Sequence, residues 1–368
     1  MEKHIAVLAG DGIGEEVMNA ALKVLDAIAE RYQHKFHYHH ALIGGAAFDQ
    51  YGVHCPSQTL MRCQDADAIL FGSVGGPVAA QNDPKWKGCE ANSILALRQH
   101  FNFSINIRPI AIYSSLSAHC PLKTNRIGNG ASIEIFRELS GDIYFGEHRQ
   151  DVDKNGRRYA IDVAEYDESQ IRHIVRSAFE SAQKRRKILC SVDKANVLST
   201  SRLWREIVEE EKLNFPDVKL SHLYVDNCAM QLVINPTQFD VLVMGNLFGD
   251  IISDLAAVLP GSLGLIPSAS LNADGFGLYE PSGGSAFDIA GQNIANPIAQ
   301  ILSAAMMLSY SFSMHEEAKA IHKAVEDSLN QGYRTSDIAL SNEQTVPTDA
   351  MANAIINNIK HGQSIVLS

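Results

Sequence analysis

At 368 residues the chain is long enough for two domains of ordinary size, or for one core split into two lobes around a cleft. Hydrophobic residues make up 46% and charged residues 20%, a globular profile with no low-complexity tract. The formal net charge of −11 argues against a nucleic-acid partner, because phosphate binding needs a concentrated basic field.

The N-terminal run Ile5 to Ala9 reads as a strand, too short for the apolar core of a signal peptide. No stretch of about 18 uninterrupted apolar residues follows anywhere, so no membrane span is expected. The six cysteines stand singly, without a CxxC pair, as reduced thiols of a cytoplasmic protein do.

After that strand comes Gly10-Asp11-Gly12-Ile13-Gly14, and then a 3.6-residue periodicity from Glu15 to Tyr32 that predicts a helix. The glycine spacing is GxGxG rather than GxGxxG. About 20 residues on, where a dinucleotide fold places an acidic residue, the chain reads His37-Tyr38-His39-His40. The turn therefore reads as a tight strand-to-helix connection and not as a pyrophosphate loop. The histidines read as a solvated strand rather than a metal site.

Ala68 to Gly72 predicts a second buried strand, and Ile94 to His100 a helix on which Glu90, Ile94 and Arg98 share a stripe beside Leu95. Arg108 precedes Pro109 and so belongs to an extended segment. Arg137 follows the apolar run Ile133 to Phe136. Each arginine alone reads as a surface or salt-bridge residue; as a group their planar forks suit a ligand with several carboxylates.

From Gly141 to Ala164 the composition turns polar and β-prone around Asn155-Gly156, which predicts a hairpin with Tyr159 to Val163 as one strand. Such a hairpin exposes an edge that a second subunit can cover. Tyr144 reads either as a proton donor or as a core tyrosine. A helix follows from Glu168 to Lys187, with Lys184-Arg185-Arg186-Lys187 as its cationic last turn.

Ile188 to Val192, Ser221 to Val225 and Val241 to Gly245 read as short buried strands. This alternation predicts an α/β fold with a largely parallel sheet. Lys194 stands just past the first of these strands, where it is either a proton acceptor or a surface lysine. Asp226 follows the second. Asp250 and Asp254, four apart after the third, share a helix face and repel unless a cation lies between them, though acids near a helix start also complement its dipole. With Asp226 they form an all-oxygen donor set suited to Mg²⁺ or Mn²⁺. The small residues from Gly283 to Asn296 allow a ligand to approach the backbone, with Asp288 able to accept from a ribose diol; a plain surface loop is the alternative.

Taken together, these segments resemble the β-decarboxylating dehydrogenases, the isocitrate/isopropylmalate dehydrogenase family. The block Asn246-Leu247-Phe248-Gly249-Asp250-Ile251-Ile252-Ser253-Asp254-Leu255 carries most of the resemblance, which runs from Ile5 to the C-terminal helices. It implies a two-lobed α/β fold with a mixed sheet, helices on both faces and a dimer-forming β arm, distinct from the Rossmann fold. It also implies a discontinuous NAD-binding domain, 1–103 with 257–368, and a second domain, 104–256, that makes the dimer.

By the same resemblance, Arg98, Arg108 and Arg137 clamp substrate carboxylates, Asp226, Asp250 and Asp254 hold Mg²⁺ or Mn²⁺, and Lys194 and Tyr144 are the base and acid. Asp226 also touches substrate. NAD lies against Gly75, Gly76, Glu90, Asn196, Gly284, Ser285, Ala286, Asp288 and Asn296. The sites are shared across a homodimer, with Lys194 and Asp226 reaching into the neighbouring subunit. Phe287 stands where the family commonly has proline, and Gly283 where histidine is common.

Family substrates differ in one group, and here the residues near Arg98 are Ile94 and Leu95, with Val197 supplied by the partner. Such a wall favours the isopropyl group of (2R,3S)-3-isopropylmalate, oxidised and decarboxylated to 4-methyl-2-oxopentanoate in leucine biosynthesis, over isocitrate, homoisocitrate or tartrate. A non-catalytic NAD-binding sensor is the reading outside enzymes. Lys194, Tyr144 and the three aspartates together speak against it.

Overall fold

The structure is a computed structural model describing residues 1–80 and 82–361. The chain begins β1 (Glu2–Gly10), α1 (Gly14–Tyr32), β2 (Lys35–His40), α2 (Gly44–Tyr51), α3 (Ser57–Gln64) and β3 (Ala68–Ser73), then α4 (Ala96–His100). The middle of the chain forms β4 (Ile105–Ile112), α5 (Thr124–Ile127), β5 (Ala131–Glu138), β6 (His148–Val152), β7 (Arg158–Asp162), α6 (Glu168–Lys184) and β8 (Ile188–Asp193). After these come α7 (Ser199–Lys212), β9 (Lys219–Tyr224), α8 (Val225–Ile234), β10 (Val241–Met244) and α9 (Asn246–Ala257). The last elements are β11 (Pro267–Leu271), β12 (Gly277–Pro281), α10 (Ile298–Tyr310), α11 (His315–Asn330) and α12 (Thr348–His361).

Two compact units emerge: Met1–Asn102 with the chain from Pro260 onward, and Phe103–Leu259. In the first, the strands pair in the order β2-β1-β3-β12-β11, parallel except for the β11/β12 ladder. This is not the 3-2-1-4-5-6 order of the Rossmann fold. All six residues of β3 are buried, as in a strand covered on both faces. α10 is buried on every side from Ile298 to Leu308, and α1, which buries Val17, Ala21, Val24 and Ile28, packs against α10 and α12. Glu15 and Glu16 in the first turn of α1 and Arg31 in its last complement the helix dipole. At the edge, His4 stacks between His37 and His39, partly open to solvent.

The second unit orders its strands β4-β5-β10-β8-β9, antiparallel only between β4 and β5. α6 starts on a capping box between Asp167 and Gln170. It ends at Lys184, before most of the basic run predicted to form its last turn. Arg185 Nε and the Arg186 amide instead hydrogen-bond the buried Asp240 at 2.9 and 2.8 Å, and Lys187, at φ +61°, pairs with Asp217 at 2.9 Å. Pairing a buried carboxylate outweighs the modest dipole gain.

β6 and β7 form a separate two-stranded hairpin with all ten positions exposed. Its turn has five residues rather than two, because the Asp153 carboxylate accepts from the amides of Asn155 and Arg157. The six cysteines are free and five are buried. Among the described residues, no helix is long and apolar enough to cross a membrane.

Candidate active site

In the second unit, β5 and β10 are adjacent parallel strands, and Arg137 lies opposite Met244 just before the chain turns into α9. Arg137 is 5% exposed, and the base of its side chain lies against that helix, where a Cβ at Gly249 would collide with its Cβ and Cγ. Its Nε and Nη2 both donate to Asn246 Oδ1, at 3.0 and 2.9 Å, and Nη1 donates to Asp250. From β4, Arg108 Nη1 donates to Ser253 Oγ and Asp254 Oδ1, both at 2.8 Å. Each carboxylate is paired with its own guanidinium, which offsets the repulsion of like charges at i and i+4.

Tyr144 is not a core residue. It is 45% exposed, its hydroxyl donates to Asp250 Oδ2 at 2.8 Å, and its ring lies 5.5 Å from the Arg137 guanidinium. Burial, and then the hydrogen bond to Asp250, push its pKa above the usual phenol value, so the proton stays on Tyr144. The turn carrying it is pinned from the other side. Asp142, at φ +71°, accepts from the Leu247 amide at 2.9 Å, and the Tyr166 hydroxyl accepts from the Asn246 amide at 2.7 Å. Both satisfy first-turn amides of α9. Asn246, Asp142 and Tyr166 carry no local sequence signal for this role.

Lys194 follows β8, and its Nζ lies 2.5 Å from Asp226 Oδ1 in the first turn of α8. That hydrogen bond holds the Asp226 carboxyl below its usual range. The buried Asp193, bound by Arg205 at 2.9 Å through both oxygens, fixes the strand end. Asn196 and Val197 are exposed on the next turn. Among the described residues, no three of Asp, Glu, His or Cys are grouped to hold a metal, so one chain does not gather Asp226 with Asp250 and Asp254. The donors remain all oxygen, which fits a hard divalent cation.

In the first unit, Arg98 Nη2 donates to Glu280 Oε1 at 2.8 Å, a carboxylate the sequence did not single out, while its Nε is buried without a partner among the described residues. The predicted helical stripe is altered. Ala91–Leu95 forms a π-type turn in which the Leu95 amide reaches back to the Glu90 carbonyl, rotating Glu90 relative to Arg98. Ile94 is half-buried and Leu95 is 46% exposed.

The GDGIG turn supports the glycine-rich loop. The Ile13 amide donates to the Ser285 carbonyl at 2.8 Å, and Gly12, at φ +59°, leaves no room for a Cβ against that carbonyl. Asp11 is buried and accepts from the amides of Gly45 and Ala46 at 2.9 Å and of Gly75 at 3.2 Å. Burial nonetheless raises its pKa.

The Glu90 carboxylate lies beside Gly75, and Gly76 follows in the same loop. Asp288 is exposed. Asn296 is buried, binds Asp337 at 3.0 Å and caps α10 by accepting from the Ile298 amide at 3.0 Å. A cavity of about 220 Å³ is lined by Ile13, Leu263, Gly284, Ala286, Ile294 and Asn296. Gln300 also lines it, buried with neither amide atom hydrogen-bonded among the described residues, an unmatched donor and acceptor of the kind a nucleobase edge satisfies. An apolar slot of this volume beside glycine backbone has room for a nucleobase rather than a whole dinucleotide.

Residues 4–355 match the family model described as isocitrate/isopropylmalate dehydrogenase. A 3-isopropylmalate dehydrogenase of Aquifex aeolicus is 53% identical over 98% of both chains, and one of Desulfotalea psychrophila is 52% identical over 96% of this chain and 99% of its own. Among solved structures, isocitrate dehydrogenase from Methylococcus capsulatus aligns with TM-score 0.83 at 32% identity, covering 97% of this chain and 99% of that one. A β-decarboxylating dehydrogenase from Thermococcus kodakarensis gives 0.79 at 34% identity, covering 97% and 96%. With an α/β fold, a mixed sheet, and a nearly full-length match in sequence and structure, the chain belongs to the isocitrate/isopropylmalate dehydrogenase family.

Proposed function

We propose that the chain is an NAD-dependent, divalent-metal-dependent dehydrogenase converting (2R,3S)-3-isopropylmalate to 4-methyl-2-oxopentanoate and CO₂, a step of leucine biosynthesis, as a cytoplasmic homodimer with shared sites. The observation that carries this reading is the cluster in which Arg137 and Arg108 bind Asp250 and Asp254 with Tyr144 alongside. Relatives named 3-isopropylmalate dehydrogenase at 50–53% identity support the choice of substrate.

Arg98, Arg108 and Arg137 bind and orient the two substrate carboxylates. Asp250, Asp254 and the partner's counterpart of Asp226 would hold Mg²⁺ or Mn²⁺. When bound, that cation supplies Lewis acidity at the substrate oxygens, and NAD accepts the hydride. Lys194 takes the proton of the substrate hydroxyl. Oxidation leaves a β-keto acid that loses CO₂, and Tyr144, which retains its proton, delivers it to carbon. Gly75, Gly76, Glu90, Gly284, Ser285, Ala286, Asp288 and Asn296, with Asn196 of the partner, would contact NAD.

Ile94, Leu95 and the partner's counterpart of Val197 offer hydrocarbon to the distinguishing group of the substrate. An isopropyl group gains roughly 1.5–3 kcal/mol from burial there, whereas the extra carboxylate of isocitrate would lose several. Steady-state kcat/KM for 3-isopropylmalate, isocitrate and tartrate with NAD and Mg²⁺ tests the assignment. 3-Isopropylmalate is expected to be preferred, and Leu95→Ser should weaken it selectively. Isocitrate performing as well or better would overturn the reading.

A further inference from the structure

The Trp86 indole lies across two glycines. A Cβ added at Gly76 would collide with its five-membered ring, and one at Gly45 with its six-membered ring. Gly76 belongs to the loop after β3, and Gly45 to the first turn of α2. The Phe287 ring meets the same indole edge-on, at 5.2 Å between centroids and 71° between planes. Lys85 Nζ stands 4.6 Å from the indole centroid and 2.5 Å from Asp49.

Phe287 is two residues past Ser285, whose carbonyl is held by the Ile13 amide. The Ser285–Phe287 segment is therefore anchored at both ends, once through backbone and once through an aromatic pair. Ala286 between them has φ +39°, a conformation a non-glycine residue keeps only when its surroundings impose it. Proline would restrain this segment through its ring; phenylalanine restrains it only if its side chain has something to pack against.

We infer that Trp86 is a positioning residue for NAD. Through Phe287 it sets the loop that presents Asp288, and through Gly76 it couples that loop to the Gly75-Gly76 stretch, so both cofactor-facing segments are ordered before NAD arrives. The inference rests on the NAD reading above, and the experiment separates the two.

Calorimetric NAD titration of the dimeric enzyme is compared for wild type, Trp86→Leu, Phe287→Ala, the double variant, Trp86→Phe and Asp288→Ala, with the thermal midpoint of each. Each single substitution in the aromatic pair is expected to raise the NAD Kd roughly two- to tenfold. The double variant should be no weaker than the poorer single, because both break one contact. Trp86→Phe should recover most of the affinity, and the change should fall on KM for NAD more than on kcat. If Trp86→Leu does not fold, Phe287→Ala and Trp86→Phe carry the test.

Additive losses in the double variant, or thermal destabilisation with an unchanged NAD Kd, would overturn the inference. If NAD binding is absent in wild type, or indifferent to Asp288→Ala, the cofactor reading itself falls. A loss with Asp288→Ala and none with the aromatic pair removes the positioning role alone.

Discussion

Two charged centres lie in the second unit, and they differ in how completely one chain satisfies them. On α9 the carboxylates of Asp250 and Asp254 are matched by Arg137, Arg108 and Tyr144, and the amides that start the helix are capped by Asp142 and Tyr166. At the Lys194–Asp226 pair, one lysine meets one carboxylate whose side chain is 62% exposed, beside the exposed Asn196 and Val197. An exposed ion pair adds little to stability, so that pair is placed for something other than holding the fold. The first centre has its opposed charges paired within one chain, although the Asp254 side chain is itself 72% exposed. On our reading both are parts of one shared site, in which the cation that Asp250 and Asp254 would hold takes a further ligand from the partner's counterpart of Asp226.

The comparison breaks most severely at Asp250, which takes both the Arg137 and the Tyr144 hydrogen bonds. Asp250→Ala should lower kcat on the order of 10³ at saturating Mg²⁺ while leaving the circular dichroism of the fold intact. Near-native turnover at low Mg²⁺ would remove Asp250 from the metal set.

Tyr144→Phe is expected to cost on the order of 10² in kcat, the contribution of a positioned proton donor. Its pH signature has a defined sign. Burial and Asp250 both favour the protonated phenol, so the alkaline limb that disappears in the variant should lie above the free phenol value of about 10. A Tyr144-dependent limb below that value in the pH–kcat profile would contradict the geometry.

The mildest test leaves every native contact present in some dimer. Inactive Lys194→Ala and Arg98→Ala proteins, mixed under subunit exchange, should recover about a quarter of wild-type activity, since half the dimers carry one intact site of two. No recovery despite demonstrated exchange would put both residues in one subunit's site and make the Lys194–Asp226 pair a complete centre.

Most strands and the long helices were legible because each buries a face with its own period: Ala68 to Gly72 as a buried run, Glu15 to Tyr32 as a 3.6-residue stripe. The aspartates were legible because their four-residue spacing is itself an electrostatic statement. The partners of those aspartates were not, since Arg137 and Arg108 lie 113 and 146 residues away in the chain and only the β4-β5-β10 pairing brings them to α9. Glu280 was missed for the same reason, being 182 residues from Arg98. The end of α6 was misread because Asp240, which draws Arg185 and Arg186 away from the helix, is buried by tertiary packing. The departure at Phe287 was visible in the sequence, but its compensation lay some 200 residues upstream at Trp86.

The seating of Trp86 on Gly45 and Gly76 also constrains the order in which this chain can change. While the indole is present, any side chain at either glycine meets it, so both positions are closed to substitution. Replacing Trp86 with a small residue removes the ring from both at once, leaving at Gly45 the Lys85 Cε, on a flexible side chain that can move, and once either glycine has acquired a Cβ the return to tryptophan is blocked. Three positions spread over 42 residues thus behave as a single heritable unit with one way in and no easy way back.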